Sequence, residues 1–307
     1  MRDQRAFETV AATVDAERGR LGPAARSAGE AGRLVLEEIW SSCLFAGVGL
    51  GLHEVITLVE LGTPAGARPL EHSIIVADYA AAGRFVAGAP LLGRRRSFLR
   101  LEEIVTLHSL AARRQPEAMP GEWRRTTAPA FASGSVPPPA WLVPRDMAAF
   151  VERVASGPQT GLHPIAWVAE AHERFARIHP FTKANGRVNR LMSNLLLRRA
   201  GLPPFAVRGR AAERYMAALK RADSREPWPL AIVFARAVLE SLSRLVAAAG
   251  QDTDLRPLAR FASGTERAAL YKASQRGRLR TVRRGGALLT SSAWIAEYER
   301  SRSSRSR

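Results

Sequence analysis

Between His179 and Arg190 a proton acceptor, a tight turn and two arginines lie within twelve residues. His179 carries the one side chain of that stretch that titrates near neutrality, which makes it the candidate general base for an incoming hydroxyl. Pro180 and Phe181 anchor the start of a loop, and Ala184, Asn185 and Gly186 supply the turn. The apolar positions Val188, Leu191, Met192, Leu195 and Leu196 recur at helical spacing and predict a helix that begins just after Gly186. Free amides at such a start converge on one point and favour an anion. Arg187 and Arg190, three apart, share a face and are candidates to hold one polyphosphate, with Asn185 donating to an oxygen beside it. A histidine beside a proline is also what a satisfied structural residue looks like; its companions at matching spacing favour the site. The chemistry this set could perform is transfer of a phosphate-bearing group onto a hydroxyl.

The elements that must position these residues read as helices almost throughout. Periodicity predicts helices over 7–18, 32–44, 50–61, 71–86 and 101–113, then 145–156, 164–178, 188–200, 210–221 and 229–249. Gly47, Gly49 and Gly51 break the chain early, and Gly93 to Ser97 is a basic connector. From Gln115 to Pro144 proline, glycine and serine dominate, and two short strands are placed there. The expected fold is therefore mainly α, with one small β-hairpin flap. Expected boundaries are an N-terminal helical region over 1–96, a core over 97–249 and a basic module over 252–307.

Composition narrows the classes. A chain of 307 residues with 46% hydrophobic content can bury one substantial core and a small appended module. Cys43 is the only cysteine, which excludes an intrachain disulfide and points to a reducing compartment. No apolar run reaches spanning length and the first twenty residues lack an apolar centre, so the expectation is cytoplasmic, with no membrane partner. His53, His72 and His108 have no metal-ligand spacing with any carboxylate or cysteine, so no structural metal is expected. His172 reads as a packed histidine and His163 as a helix-entry residue. The net charge of +18 suits a polyanion, yet only Lys183, Lys220 and Lys272 are lysines, and so strong an arginine bias also fits coding bias.

The twelve residues resemble the signature of the Fic/Doc (Fido) family, His-Pro-Phe-x-[Asp/Glu]-[Gly/Ala]-Asn-Gly-Arg-x-x-Arg. The similarity extends over roughly Glu37 to Leu245, through Pro120 to Arg124, Gly134 to Pro139, Val143 to Met147, His163 to Val168, Arg198 to Pro204 and Tyr215 to Lys220. The resemblance implies a helical Fic fold with a flap that aligns a target segment, and a protein adenylyltransferase. AMP, or a related nucleotide moiety, would pass from ATP to a Ser, Thr or Tyr hydroxyl of a protein. It assigns catalysis to His179 and Asn185, and nucleotide binding to Lys183, Ala184, Asn185, Gly186, Arg187 and Arg190.

Two departures stand out. The family's acid, which holds magnesium, is here Lys183, which has no acceptor for a metal. Transfer activity, or nucleotide binding without efficient turnover as a scaffold, are the two readings left open. The family's inhibitory helix, placed at 37–47, carries Ala46 where its glutamate should pair with Arg190. That segment is expected to be a packing helix only, and an antitoxin partner that restores the brake stays an open question.

Beyond Gly250 the chain turns strongly basic. A short helix over 255–263, a second from Glu266 to Gln275 capped by Thr265, a hairpin turning at Gly285 and Gly286, and a closing helix from Ser292 are predicted. This order is similar to excisionase-type or winged helix-turn-helix modules. It implies duplex DNA as a partner, contacted by Lys272, Arg276, Arg278, Arg280, Arg283 and Arg284. The plainer alternative is a solvated extension. Residues 299–307 are low in complexity and expected to be disordered.

Overall fold

The computed structural model describes every residue except 1, 22–27, 65, 67, 91–96, 132–134, 224–226, 250–254, 285 and 304–307. The expected basic connector lies largely outside the described residues, as do Gly134 and Gly285. In chain order the helices are α1 (Arg2–Arg20), α2 (Ala28–Leu44), α3 (Leu52–Leu61), α4 (Leu70–Gly88), α5 (Leu101–Ala111), α6 (Val143–Ala155), α7 (Pro164–Ile178), α8 (Asn185–Arg199), α9 (Arg210–Asp223) and α10 (Trp228–Ala248). There follow β1 (Arg256–Pro257), α11 (Gly264–Gln275), β2 (Val282–Arg284), β3 (Ala287–Thr290) and α12 (Ser292–Ser303). None of the described helices is long and apolar enough to cross a membrane.

The chain divides into two compact units, residues 33–233 and residues 1–32 with 234–307. α2 from residue 33 onward, α3 and α4 fall in the same unit as the signature loop, and α1 falls with the C-terminal module. In the larger unit α8 is the axis, packed by α4, α5 and α7. Val188, Leu191, Met192, Leu195 and Leu196 are buried as their spacing requires, but so are Asn189, Ser193 and Asn194. A helix covered on every side must satisfy its polar groups internally. Asn189 donates to the His172 carbonyl at 2.9 Å, Ser193 to the Asn189 carbonyl at 2.8 Å, and Asn194 accepts from the Phe205 amide at 3.0 Å. His172 is buried between Ser193 and Tyr215, each at 2.8 Å, and is a packed residue. α7 starts on Pro164, with the His163 ring accepting from the Ile165 amide at 3.1 Å.

The expected strands of the flap do not form among the described residues. Residues 115–144 instead hold two 3-10 turns, at Pro116–Ala118 and Ala140–Leu142. The Phe131 amide donates to the Ser135 carbonyl at 2.8 Å. Prolines 137, 138 and 139 remove the donors that a ladder would need.

The smaller unit carries the three-stranded antiparallel sheet, in the order β1-β3-β2, against Leu258, Leu270, Ala273 and Leu279. The hairpin, α11 and the closing helix follow the sequence reading. The first expected helix is instead β1 and a 3-10 turn, Leu258–Arg260, and Ser263 rather than Thr265 precedes the helix, with no side-chain cap. α12 continues to Ser303, into the segment expected to be disordered.

Arg280, expected to meet DNA, is corrected by its surroundings. It is 5% exposed, lies 3.7 Å over the Trp294 ring and pairs with the buried Glu17 of α1 at 2.8 Å. A guanidinium spent on an indole and a carboxylate in the interior cannot also reach a phosphate. Breaking a buried pair leaves a charge stranded. Glu17→Gln should therefore lower stability by about 3 kcal/mol in urea denaturation, whereas alanine at the exposed Arg283 should change it by less than about 0.5 kcal/mol.

Candidate active site

The signature loop joins α7 to α8 and is closed by its own asparagine. His179 caps α7 in the left-handed region, at φ 49°, with its amide donating to the Phe175 carbonyl at 3.1 Å. Ala184 precedes α8 at φ 65°. Each left-handed non-glycine residue costs about 1 kcal/mol or more, so something must hold the loop. Asn185 does so from both ends of its amide. Its Oδ1 accepts from the Phe181 amide at 2.9 Å, and its Nδ2 donates to the Phe181 carbonyl at 2.7 Å. Asn185 is buried, so the sequence expectation that it donates to a phosphate oxygen is corrected: its polar atoms are committed to the loop. The helix also starts at Asn185, ahead of the expected position.

His108 of α5 holds the same loop from outside, and sequence reasoning missed it. Its Nδ1 accepts from the Gly121 amide at 2.9 Å, which places the proton on Nε2, 3.2 Å from the Lys183 carbonyl that accepts it. The ring stacks on Phe181 with centroids 3.7 Å apart, and Trp123 stacks on Phe181 at 5.0 Å. Burial, with the nearby Arg187 charge adding to it, pushes His108 down to about 4.

Arg124 ties the chain ahead of the flap to the loop. It donates to the carbonyls of His179 at 2.8 Å, Thr126 at 3.0 Å and Pro138 at 2.5 Å. The Phe131 ring meets His179 edge-on at 5.3 Å. Burial first, and the Arg124 charge second, hold the His179 imidazole below its ordinary range, against a hydrogen bond to Ala176. A neutral imidazole is the form that can accept a proton.

The arginines do not share one partner. Arg187 donates to the Ala111 carbonyl at 2.7 Å and to Gln115 Oε1 at 2.8 Å, at the end of α5. Arg190 donates from Nε to Ser42 Oγ at 2.8 Å and from Nη2 to the Ser42 carbonyl at 3.0 Å, with Phe45 4.8 Å beneath its guanidinium. Ser42 is itself bonded to Glu38 at 3.0 Å and to Tyr79 at 2.9 Å. Burial holds Glu38 above the ordinary carboxylate range, against its hydrogen bonds and Arg190. The end of α2, expected only to pack, thus engages Arg190 without any side chain at Ala46. Gly186 leaves room for this: a Cβ there would lie 3.3 Å from Arg190 Nη1. Lys183 is exposed and paired with Glu117 at 3.4 Å. The amides of residues 185–187 precede the first bond of α8, from Val188 to the Ala184 carbonyl at 3.0 Å, and are open to an anion.

Residues 98–197 match the model of the Fic/DOC family. Protein adenylyltransferase Fic of Drosophila grimshawi is 35% identical over 127 residues, 40% of this chain and 25% of that protein. The enzyme of the same name from Nematostella vectensis is 32% identical over 158 residues, 52% of this chain and 36% of that protein. The chain thus spans well under half the length of either relative. Among solved structures, Fic-1 of C. elegans aligns with a TM-score of 0.68 at 21% identity over 81% of this chain and 73% of its own. A Fic domain containing signaling protein from Bacteroides thetaiotaomicron aligns with 0.70 at 19% identity over 80% and 98%. These structural likenesses carry the fold.

The clamp at His108 has a pH signature. Folded, its imidazole stays neutral down to about 4, while in the unfolded chain it takes a proton near 6.5. Its share of stability is therefore complete above 6.5, falls as pH drops through the interval, and levels off below about 4, a span of up to about 3 kcal/mol. His108→Asn should show a shallower loss of stability between pH 7 and pH 4 than the wild type in urea titrations. Parallel losses would contradict the clamp.

Proposed function

We propose that this chain, which carries a Fic/DOC domain, transfers AMP from ATP to a hydroxyl side chain of a target protein. The observation that carries the reading is the placement of His179, half-buried and capping α7, across the loop from the start of α8, with burial and Arg124 holding its imidazole below the ordinary range. In the step, a neutral His179 ring nitrogen takes the proton of the target hydroxyl. The freed oxygen bonds to the α-phosphorus, and the bond from that phosphorus to the bridging oxygen breaks, releasing pyrophosphate. The amides at 185–187 face the phosphate charge, while Asn185 acts by keeping the loop closed. Arg190 reaches the leaving phosphates by exchanging Ser42 for them, and Arg187 supplies positive potential from its place against α5. The region around Ser135 to Trp141, with Trp141 77% exposed, would receive the target segment.

A second reading, nucleotide binding without turnover, is favoured by Arg187 and Arg190 being already bound to protein atoms and by Lys183 in the family's acidic position. One experiment separates the two. Incubation with labelled ATP and cell lysate should label protein with the wild type, and His179→Ala should label at least about a hundredfold more slowly, the scale of a lost general base. Equal labelling by the variant would refute the mechanism, and binding of ATP with no labelling by either would select the second reading. An antitoxin partner is not required to restrain Arg190, since Ser42 already holds it.

For the C-terminal module we infer contact with duplex DNA. Lys272 on α11, Arg276 that caps it, Arg278 after it and Arg283 on β2 are exposed, and no carboxylate pairs with them among the described residues. The side chain of Arg284 lies outside the described residues. Alanine at both Lys272 and Arg276 should weaken duplex binding and flatten the dependence of log affinity on log salt by about 0.9 per lost phosphate contact. Gel shifts at several salt concentrations measure this, and an unchanged slope would mean the charge is only solvated surface.

A further inference from the structure

Of the cations in the signature loop, the one that solvent reaches is not an arginine. Arg187 and Arg190 are buried against main-chain and side-chain acceptors, whereas the Lys183 side chain is 55% exposed. Its main chain is held through the carbonyl that His108 bonds, which leaves the side-chain torsions to place the ammonium. That ammonium lies 3.4 Å from Oε1 of Glu117, itself 50% exposed on the 3-10 turn Pro116–Ala118. Glu117 sits sixty-six residues away in sequence. Its carboxyl lies below the ordinary range through its own backbone amide first, then through Lys183.

These residues do not suit a resident magnesium ion. An ammonium has three donors and no lone pair, and the one carboxylate beside it faces that ammonium. Among the described residues no three His, Cys, Asp or Glu side chains converge to hold a metal. We propose that the ammonium of Lys183 takes the cation's place, so that polyphosphate binds without a divalent ion, and that Glu117 is a specificity-determining residue. Glu117 holds Lys183 while the site is empty and loses it to the phosphates on binding. An exposed ion pair is worth little, so a multiply charged phosphate displaces one carboxylate readily. The carboxylate left behind then opposes the anion, which sets a limit on affinity that an amide would lift. The inference rests on the nucleotide reading of the site.

Calorimetric titration of the full chain with ATP, once in chelator and once in excess magnesium, tests it. The wild type should bind at least as tightly in chelator as in magnesium. Glu117→Gln should tighten binding in chelator about two- to fivefold, the range that exposed pairs span. Lys183→Ala should weaken it about tenfold, as loss of a charged hydrogen bond does, and Glu117→Gln should then add nothing. A requirement of the wild type for magnesium, or no tightening by Glu117→Gln while Lys183 is present, would overturn the inference and leave the nucleotide reading standing. Absence of ATP binding under both conditions would overturn the two together.

Discussion

The reciprocal hydrogen bonds between the Asn185 amide and the Phe181 main chain are the constraint on which the site depends. Two residues of the loop stand in left-handed conformations, and without a closure of this kind the chain between α7 and α8 would open to relieve them. Closing it sets where His179 leaves α7, where the amides of residues 185–187 point, and where Phe181 lies. Phe181 in turn is the surface on which His108 stacks, and His108 completes the closure through the Lys183 carbonyl. The polar and apolar restraints act on the same few atoms, so the loop is built before any ligand arrives.

Such preorganisation sets a condition on binding. Arg187 and Arg190 are satisfied by the ends of α5 and α2. A nucleotide gains from Arg190 only the difference between a phosphate oxygen and Ser42. That difference favours phosphate, because the incoming acceptor carries charge and the present ones are a hydroxyl and a carbonyl. It also links the site to the buried Glu38, Ser42 and Tyr79 cluster, which must keep its own groups paired when Arg190 shifts.

Much of this was legible in the sequence where it rests on local pattern. The spacing of Val188, Leu191, Met192 and Leu195 gave the burial of α8, Pro164 gave the start of α7 at the observed residue, and the alternation after Arg278 gave the pairing of β2 with β3. Partners brought together from afar were not legible. His108, Gln115 and Glu117 meet the loop from 66 to 75 residues away and nothing in their neighbourhoods marks them, whereas Ser42, 148 residues from Arg190, lies in the segment 37–47 that the sequence already set against that arginine. The distribution of charge also misled for Arg280, since sequence counts a cation without showing that Trp294 and Glu17 enclose it. In the flap, two short strands were placed where helical periodicity lapses and proline, glycine and serine dominate, but consecutive prolines withdrew the donors that pairing would use.

The account turns on a signature loop that delivers His179 as a neutral base, and nuclear magnetic resonance titration of its imidazole nitrogens is the most direct test. Burial and the Arg124 charge predict a midpoint below the ordinary 6.5, with the ring neutral at pH 7. A midpoint above 7, leaving His179 mostly cationic at pH 7, would contradict the account.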